Sequence, residues 1–448
     1  MQKSLIAALL AGAFVSLDAS AADLIQVYQQ ALANDAVFAS ARASELAGRE
    51  RIPQGKAALY PSIGASAGIT RNLADTTSGV GQVVTLPDGT NQVINNASSN
   101  YTQKQYTVSL TQPLFRWDRW QTYQQSKLQE AISEAQFAQA QQDLITRVAQ
   151  AYFDVLTAQD NLTSTQAQKV ATTEQLASAK RNFEVGTQTI TDTHEAQAAY
   201  DLVVAQEFAA INDLDNKRTA LSVIIGQVPG ELAPLRPGVT IMPPSPAVVD
   251  PWIDSAVTQN YAVVAAGLNA EIAKREISRN RAGHMPTLNL VATNSRQSIT
   301  GGGGTTNNNA IGVNWSVPIF SGFAVTSKVR ETIALEDKAR NDLEATKRVA
   351  SQNARSAFLG MNSGLAQVKA LEAAEVSSKS SLDSNKLGYQ VGVRINIDVL
   401  NAQKLLYATQ KDLSKARYDT IMNGLRLKSA AGSLKEEDLA PVNALLVH

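Results

Sequence analysis

The chain has 448 residues, of which aromatic residues make up only 6% and charged residues 18%, so large side chains for a globular core are scarce. Its 40 basic and 40 acidic residues give a formal net charge of zero, which excludes the strongly basic surface that nucleic-acid binding usually requires. The absence of cysteine excludes disulfide bonds and an N-terminal lipid-modified cysteine. Stability must therefore come from packing and assembly.

The N-terminus has the pattern of a secretory signal peptide. Lys3 precedes an apolar run over residues 5–17, and Ala19-Ser20-Ala21 has the small-x-small pattern of a cleavage site. The run is too short to cross about 30 Å of hydrocarbon as a helix, and no later stretch reaches about 20 consecutive apolar residues. We therefore predict a signal peptide over residues 1–21, export of the mature chain, and membrane crossing by β-strands.

A proline-rich linker divides the chain into two similar halves, because half of its 14 prolines lie within residues 229–251. Matching residues keep a steady spacing: Pro113 and Pro318 are 205 positions apart, and so are Phe153 and Phe358. A constant offset of this kind indicates a duplication. We predict a first repeat over residues 22–229, a linker over 230–251, a second repeat over 252–434 and a C-terminal tail over 435–448.

Each half contains two stretches with the alternation of a β-strand. Tyr106, Val108 and Leu110 alternate with polar residues, and Val313 and Trp315 do so in the second half. A period of two with one apolar face predicts strands. The connecting stretches are rich in Gly, Asn, Ser and Thr, as in exposed loops. The predicted strands cover about 61–72, 101–115, 286–298 and 309–320, and the predicted loops cover 72–100 and 300–309.

Long spans without proline follow each pair of strands. In the first of them Ile145, Val148 and Tyr152 have helical spacing, which is typical of helices with coiled-coil character. Gly186 and Gly392 are the expected helix ends, where each half turns back as a helical hairpin. The predicted long helices cover about 119–185, 192–226, 324–391 and 398–431, and a shorter helix precedes the strands in each half.

Four strands are too few to close a membrane barrel, since the smallest such barrels have about eight. In lipid, an open sheet edge leaves backbone groups without partners, and each one costs several kcal/mol. Copies of the chain must therefore combine, with two copies as the lower bound. At about 1.5 Å per residue, the longest helix would be on the order of 100 Å long, which no compact globule needs. The architecture predicts passage rather than chemistry.

Several motifs together resemble the TolC family of outer-membrane efflux and type I secretion proteins. The resemblance covers nearly the whole mature chain. It implies an α+β membrane protein, in which a homotrimer builds a twelve-stranded outer-membrane β-barrel that is continued by a tapered periplasmic barrel of α-helices. The motifs are DLIQVYQQAL (23–32), AYFDVLTAQDNL (151–162), TQAQK (165–169), FEVGTQTITD (183–192), GHMPTLNL (283–290), GYQVGVRINIDVLNA (388–402) and IMNGLRLKSAAGSL (421–434).

The resemblance also implies partners. A passive duct needs an energised inner-membrane transporter, either a resistance-nodulation-division pump or an ABC exporter, and a periplasmic adaptor protein that joins the two. Outer-membrane lipid surrounds the barrel, and no cofactor is expected. Drugs and secreted proteins both stay open as cargo, because a wide polar tunnel makes few specific contacts.

A gate is implied at the helical turns, which would form the far tip of the tunnel. In the family pattern, an Asp after the first turn is held by a Tyr and an Arg beside the second; the matching residues are Asp192, Tyr389 and Arg394, with Thr191 adjacent. An Arg–carboxylate fork is charge-assisted and directional, and each partly solvated link is expected to contribute only about 1 kcal/mol. The alternative is that Asp192 only caps a helix and Arg394 is a solvated cation.

Asp398 matches the inward-facing acidic ring of the family, in which symmetry brings like charges together and creates a site for cations. Asn401 stands where the best-known members have a second Asp. We therefore expect multivalent cations to block this channel more weakly than they block the members that have the second Asp. Helix capping is the alternative role for Asp398.

Two other classes of function compete with the duct. His194-Glu195 begins like the HExxH motif of zinc proteases, but Ala198 stands where the second His is required, so we predict no enzyme and no metal site. A periplasmic or surface coiled-coil scaffold would also use long helices. The four predicted strands favour the duct, because a scaffold has no use for them.

Overall fold

The protein is α+β, and the computed structural model describes residues 21–300 and 304–447. The predicted signal peptide, residues 1–21, lies outside the described residues except for Ala21. The first half contains α1 (Leu24–Asn34), α2 (Ala36–Arg49), α3 (Arg51–Ala57), β1 (Ser62–Thr85), β2 (Asn91–Phe115), α4 (Trp117–Glu184) and α5 (Ile190–Ile225). The second half contains α6 (Asp250–Gln259), α7 (Tyr261–Arg281), β3 (Thr287–Ile299), β4 (Gly304–Ser316), α8 (Ala324–Gln390), α9 (Asn396–Ala430) and α10 (Leu439–Asn443).

The four long helices α4, α5, α8 and α9 begin and end within two residues of their predicted bounds. Local signals explain this agreement. At the start of α5, Thr189 and Asp192 form a capping box, in which each side chain accepts a hydrogen bond from the other residue's backbone N–H. At its end, Gly226 adopts a left-handed conformation with φ of 73°, which glycine reaches without strain. Among the described helices, none is both long and apolar enough to cross a membrane.

Strands β1 and β2 are much longer than predicted. Residues 72–100 were expected to form a loop, yet the ladder runs from Ser62↔Thr111 to Thr85↔Asn91 and leaves only residues 86–90 as a turn. The outer part of this hairpin lacks apolar alternation, so side-chain patterning carried no signal there. Cross-strand hydrogen bonds come from the backbone and need no such pattern. Likewise, β4 begins at Gly304, inside the predicted loop, and ends at Ser316 instead of near residue 320.

The sheet has the strand order β1-β2-β3-β4, and all neighbours are antiparallel. Near the start of β1, cross-strand pairing places apolar side chains on one face and small or polar side chains on the other, because successive residues of a strand point to opposite faces. No further strand pairs with the outer edge of β1 or of β4 within the described residues. One row on the apolar face is Ile63, Leu110, Ala292 and Ile311, and the next row, on the opposite face, is Gly64, Ser109, Thr293 and Ala310.

The described chain divides into two compact units. The sheet belongs to the unit formed by Ala47–Ala131 and Leu268–Asn341. The main apolar core belongs to the other unit, where α1 packs with α4, α5 and α9. The largest fully buried side chains of this core include Tyr152, Phe153, Leu221, Met422 and Leu446.

The C-terminal segment, predicted as a tail over residues 435–448, packs into this core over the residues that the structure describes. Leu439 and Leu446 are 1% and 0% exposed, and Leu446 pairs with Leu235 in an antiparallel bridge. The segment is too short to show a periodic pattern, so its burial was not predictable from the sequence.

Two carboxyl groups of this unit, the buried Asp35 and the partly buried Asp160, have opposite electrostatic roles. Arg147 donates to Asp35 at 2.7 Å, and the backbone N–H of Phe38 donates to the same carboxylate at 2.8 Å. Burial by itself raises the pKa of Asp35, but these hydrogen bonds and the Arg147 charge outweigh it and hold that pKa below its ordinary value. At Asp160 burial dominates and raises the pKa, although the Tyr418 hydroxyl donates to it at 2.8 Å.

Asp35→Asn is expected to lower the free energy of unfolding by about 1–3 kcal/mol at pH 7, because it breaks a buried charge-assisted bond. A lowered folded pKa stabilises the fold above the ordinary carboxyl pKa, and this contribution is lost as the pH falls through the folded value. Asp160→Asn is expected to leave stability at pH 7 unchanged or higher, since a raised folded pKa means that the charged form opposes folding. Thermal unfolding followed by circular dichroism measures both, and equal losses in the two variants would contradict these roles.

Candidate functional site at the helical turns

The turns that end α4 and α8 depend on glycine. Gly186 and Gly392 have φ of 76° and 78°, in the left-handed region where a side chain would be strained. The turns bond the backbone in the same way: Thr187 N–H donates to the Asn182 carbonyl at 2.9 Å, and Val393 N–H donates to the Gly388 carbonyl at 2.9 Å. Each bond satisfies a carbonyl of the last helical turn.

Tyr389 links the two turns. Its hydroxyl donates to Oε1 of Gln188 at 2.7 Å, and the side-chain amide of Asn182 donates to the same hydroxyl at 3.4 Å. Gln188 belongs to the first turn, whereas Tyr389 lies beside the second. The structure therefore brings Tyr389 to the first turn, as the latch requires, but its partner there is Gln188 and not Asp192.

Asp192 and Arg394 have other partners within one chain. The Asp192 carboxylate accepts hydrogen bonds from the N–H and the hydroxyl of Thr189, at 3.1 and 2.7 Å. Arg394 lies 3.6 Å from the Asp398 carboxylate, in a solvated i,i+4 pair. The predicted contacts of Asp192 with Tyr389 and Arg394 are thus not formed within the described part of one chain, because local capping takes the carboxylate. Thr191, beside it, is exposed.

A buried amide cluster at the same turns was missed from the sequence. Asn396 is 0% exposed; it accepts a hydrogen bond from Gln175 at 2.6 Å and donates to the Asp192 carbonyl at 3.0 Å. It thereby joins α4, α5 and α9. An Asn in the first turn of a helix is ordinary, and nothing in the sequence says that its side chain faces another hairpin.

A polar cavity of about 600 Å³ lies beside this cluster. It is lined by charged and amide side chains, and the buried Oε1 of Gln403 has no hydrogen-bond partner in the described residues. Such a group costs free energy unless water or another molecule pairs with it. The turns therefore contain a buried hydrogen-bond acceptor that no group of the described residues pairs with. The polar residues lining the cavity include Glu174, Gln175, Asn182, Gln188, Lys386, Tyr389, Gln390 and Gln403.

Asp398 and Asn401 lie in the first turns of α9. Asp398 is partly exposed and Asn401 is exposed. The described residues contain no group of three or more His, Cys, Asp or Glu side chains that could hold a metal ion. Because one chain contributes a single carboxylate here, a cation site at this level requires copies related by symmetry.

If the predicted acidic ring exists, Asp398→Ala is expected to abolish block of ion conduction by a trivalent cation, because it removes the carboxylate that each copy would contribute to that ring. Current through planar bilayers, with the cation added on the side of the helical turns, measures the block. Asp419→Ala is the matched control, since Asp419 lies on the same helix and also forms an i,i+4 pair with a cation, Lys415. Block that persists in Asp398→Ala would mean that the ring lies elsewhere.

Comparison with known proteins agrees with the motifs. The family model of the outer membrane efflux proteins matches residues 27–227 and 252–433. Outer membrane protein TolC of Vibrio cholerae is 34% identical over 430 residues, covering 95% of this chain and 94% of that protein. The alkaline protease secretion protein AprF of Pseudomonas aeruginosa is 33% identical over 445 residues, covering 97% of this chain and 90% of that protein.

A solved structure shows the same fold. The outer membrane protein VceC from Vibrio cholerae superposes with a TM-score of 0.75 at 18% identity, covering 91% of this chain and 96% of that chain. The resemblance inferred from the motifs is confirmed, and so is location in the outer membrane with a large helical part in the periplasm. Proteins of this family are channels and not enzymes. The chain belongs to the outer membrane efflux protein family and is an outer-membrane exit duct.

Proposed function

We propose that three copies of the chain close their sheets into one twelve-stranded barrel in the outer membrane, and that their long helices form the periplasmic part of the duct. The observation that carries this proposal is the four-stranded sheet, with one apolar face and two outer edges that have no partner strand in the described residues. In lipid each unpaired N–H or C=O group costs several kcal/mol, so the edges need partners. Identical copies supply them, with β1 of one chain beside β4 of the next.

The resemblance to the family implies three copies, and the width that passage requires agrees with that number. Two copies would give eight strands, and a barrel of about eight strands has an interior that side chains fill. Twelve strands leave a wider bore. The apolar face, with Ile63 and Ile311, then meets lipid, and the face with Gly64, Ser109 and Thr293 lines the bore with small or polar groups.

The test is the state of the purified protein. We expect it to need detergent, to run on unheated SDS gels as a three-chain oligomer that heat converts to the single chain, and to conduct ions across a planar bilayer. Ile311→Arg should reduce the oligomer, because a cation on the lipid face costs about 2–4 kcal/mol near the membrane centre. Ala310→Arg, on the opposite face, is the control. A water-soluble single chain that never permeabilises a bilayer would overturn the proposal.

The gate is proposed at the turns of Gly186 and Gly392. Tyr389 joins the turns within one chain, and Asp192 and Arg394 are proposed to act on neighbouring copies, with Thr191 beside them. The polar side chains that line the cavity beside the turns support such contacts, since symmetry repeats them around the tip. Weak links repeated in this way hold the tip closed and still let a partner open it.

The proposed partners are a periplasmic adaptor protein and an energised inner-membrane transporter, either a resistance-nodulation-division pump or an ABC exporter. The name of the alkaline protease secretion protein AprF supports export of proteins, and the name of the efflux protein family supports efflux of small molecules such as drugs. Deleting the gene and scoring both drug sensitivity and the secreted proteome tests the two cargo classes. If deletion changes only the drug sensitivity or only the secreted proteome, the duct exports that class of cargo.

A further inference from the structure

A cavity of about 650 Å³ lies where the sheet meets the helices. It belongs entirely to the unit that holds the sheet, and it is formed by the ends of β3 and β4 with the starts of α4 and α8. Three cationic side chains and one carboxylate line it: Arg116, Arg279, Lys328 and Asp118. The lining is therefore net positive.

The three cations form ion pairs with carboxylates of the same chain, but these pairs leave the cations able to bind a further anion. Lys328 pairs with Glu331 at 2.7 Å in an i,i+3 pair on the helix surface, and Arg279 pairs with Glu276 in the same spacing. The Lys328–Glu331 pair is solvated and therefore weak, the Arg279 side chain is 42% exposed, and neither glutamate lines the cavity. Arg116 engages Asp118 through Nε and Nη2, at 3.0 and 2.7 Å, and a guanidinium has more donors than one carboxylate uses.

Two exposed aromatic rings lie close in the chain to residues that line the cavity. Pro318 and Ala324 line it, and between them in the chain Phe320 and Phe323 are 75% and 72% exposed, with their rings in edge contact at 5.5 Å. Phe323 has φ of 63°, a left-handed conformation that is strained for any residue with a side chain. Phenylalanine is thus kept exposed in a conformation suited to glycine. Two exposed rings held in this way offer an apolar surface to an acyl chain.

We propose that this cavity binds the headgroup of an anionic phospholipid. The phosphate would lie among Arg116, Arg279 and Lys328, and the acyl chains would run along Phe320 and Phe323. The inference rests on the proposed placement of the sheet in the membrane, because the junction of sheet and periplasmic helices is then at the level of the inner-leaflet headgroups. Arginine and lysine are the side chains that bind phosphate most strongly.

Native mass spectrometry of the delipidated oligomer, titrated with phosphatidylglycerol, tests the site. We expect one lipid for each chain, with Arg279→Gln/Lys328→Gln lowering the apparent affinity roughly tenfold. Lys347→Gln is the matched control, since Lys347 forms the same i,i+3 pair with Glu344 at 2.8 Å on the same helix. Phe323→Gly, which relieves the backbone and removes the ring, is expected to weaken lipid binding without affecting charge.

Two further titrations identify the ligand. Phosphatidylcholine, which has no net charge, should bind more weakly than phosphatidylglycerol, and inorganic phosphate should not displace the lipid. The proposal is overturned if the double variant binds phosphatidylglycerol like the control, if phosphatidylcholine binds equally well, or if inorganic phosphate displaces the lipid. The wild type and each variant are also run unheated on SDS gels. A wild type without the three-chain oligomer would contradict the proposed trimer, whereas a variant that keeps the oligomer but binds less lipid reports on the lipid site alone.

Discussion

Tyr389→Phe combined with Arg394→Ser is expected to raise the single-channel conductance in planar bilayers severalfold. The Tyr389 hydroxyl donates to Gln188 at 2.7 Å, and this bond ties the turn after α8 to the turn after α4. Arg394 has only a 3.6 Å contact with Asp398 in its own chain, which leaves its guanidinium available to a neighbouring copy. Each link is expected to contribute about 1 kcal/mol, and the double substitution removes it from every copy at once.

The control for this variant is Tyr407→Phe, which removes a hydroxyl that donates to the Ala167 carbonyl at 3.3 Å, within the helices and away from the turns. Asp192→Asn is a second arm, since Asn also caps helices well and keeps the local structure. Higher conductance in Asp192→Asn would indicate that the carboxylate has a partner on another copy. Unchanged conductance in the double variant would contradict the latch.

Gly432→Ala is expected to lower the free energy of unfolding of the unit that holds the main apolar core, and to do so more than any other single substitution proposed for that unit. Gly432 has φ of 75°, and a Cβ atom there would lie 2.5 Å from the Gln259 carbonyl oxygen and 2.9 Å from the Asn260 nitrogen. The left-handed conformation costs about 1–2 kcal/mol for a residue with Cβ, and overpacking against fixed backbone adds about 1–3 kcal/mol. Thermal unfolding of the helical signal measures the loss.

Gly238→Ala separates the two costs. Gly238 also has a left-handed conformation, with φ of 70°, but nothing lies within 4 Å of the position of its Cβ. Gly238→Ala should therefore lower the free energy of unfolding only by the cost of the left-handed conformation. Equal destabilisation of the two variants would show that close packing of α9 against the α6–α7 junction contributes nothing, contrary to the geometry.

The candidate site was only partly predictable. Gly186 and Gly392 are needed locally, because the chain must reverse and only glycine adopts the required φ without strain, so the turns are visible in the sequence. The hydrogen-bond partners of the polar side chains are not visible in the sequence. Whether Asp192 meets Arg394 or Thr189, and whether Asn396 faces water or Gln175, depends on how the hairpins pack. Residue types and spacing do not contain that information.

Elements with local causes were predictable from the residues alone. The absence of proline and the apolar spacing predict the long helices, and the alternation of apolar residues predicts the apolar strand segments. The remaining features depend on tertiary contacts. Residues 72–85 and 91–100 form strands because they lie opposite each other in the hairpin, and Leu446 is buried because Leu235 and the core cover it. In both cases the stabilising contact joins residues that local patterning cannot pair, since the energy of a ladder or a core depends on which segments meet.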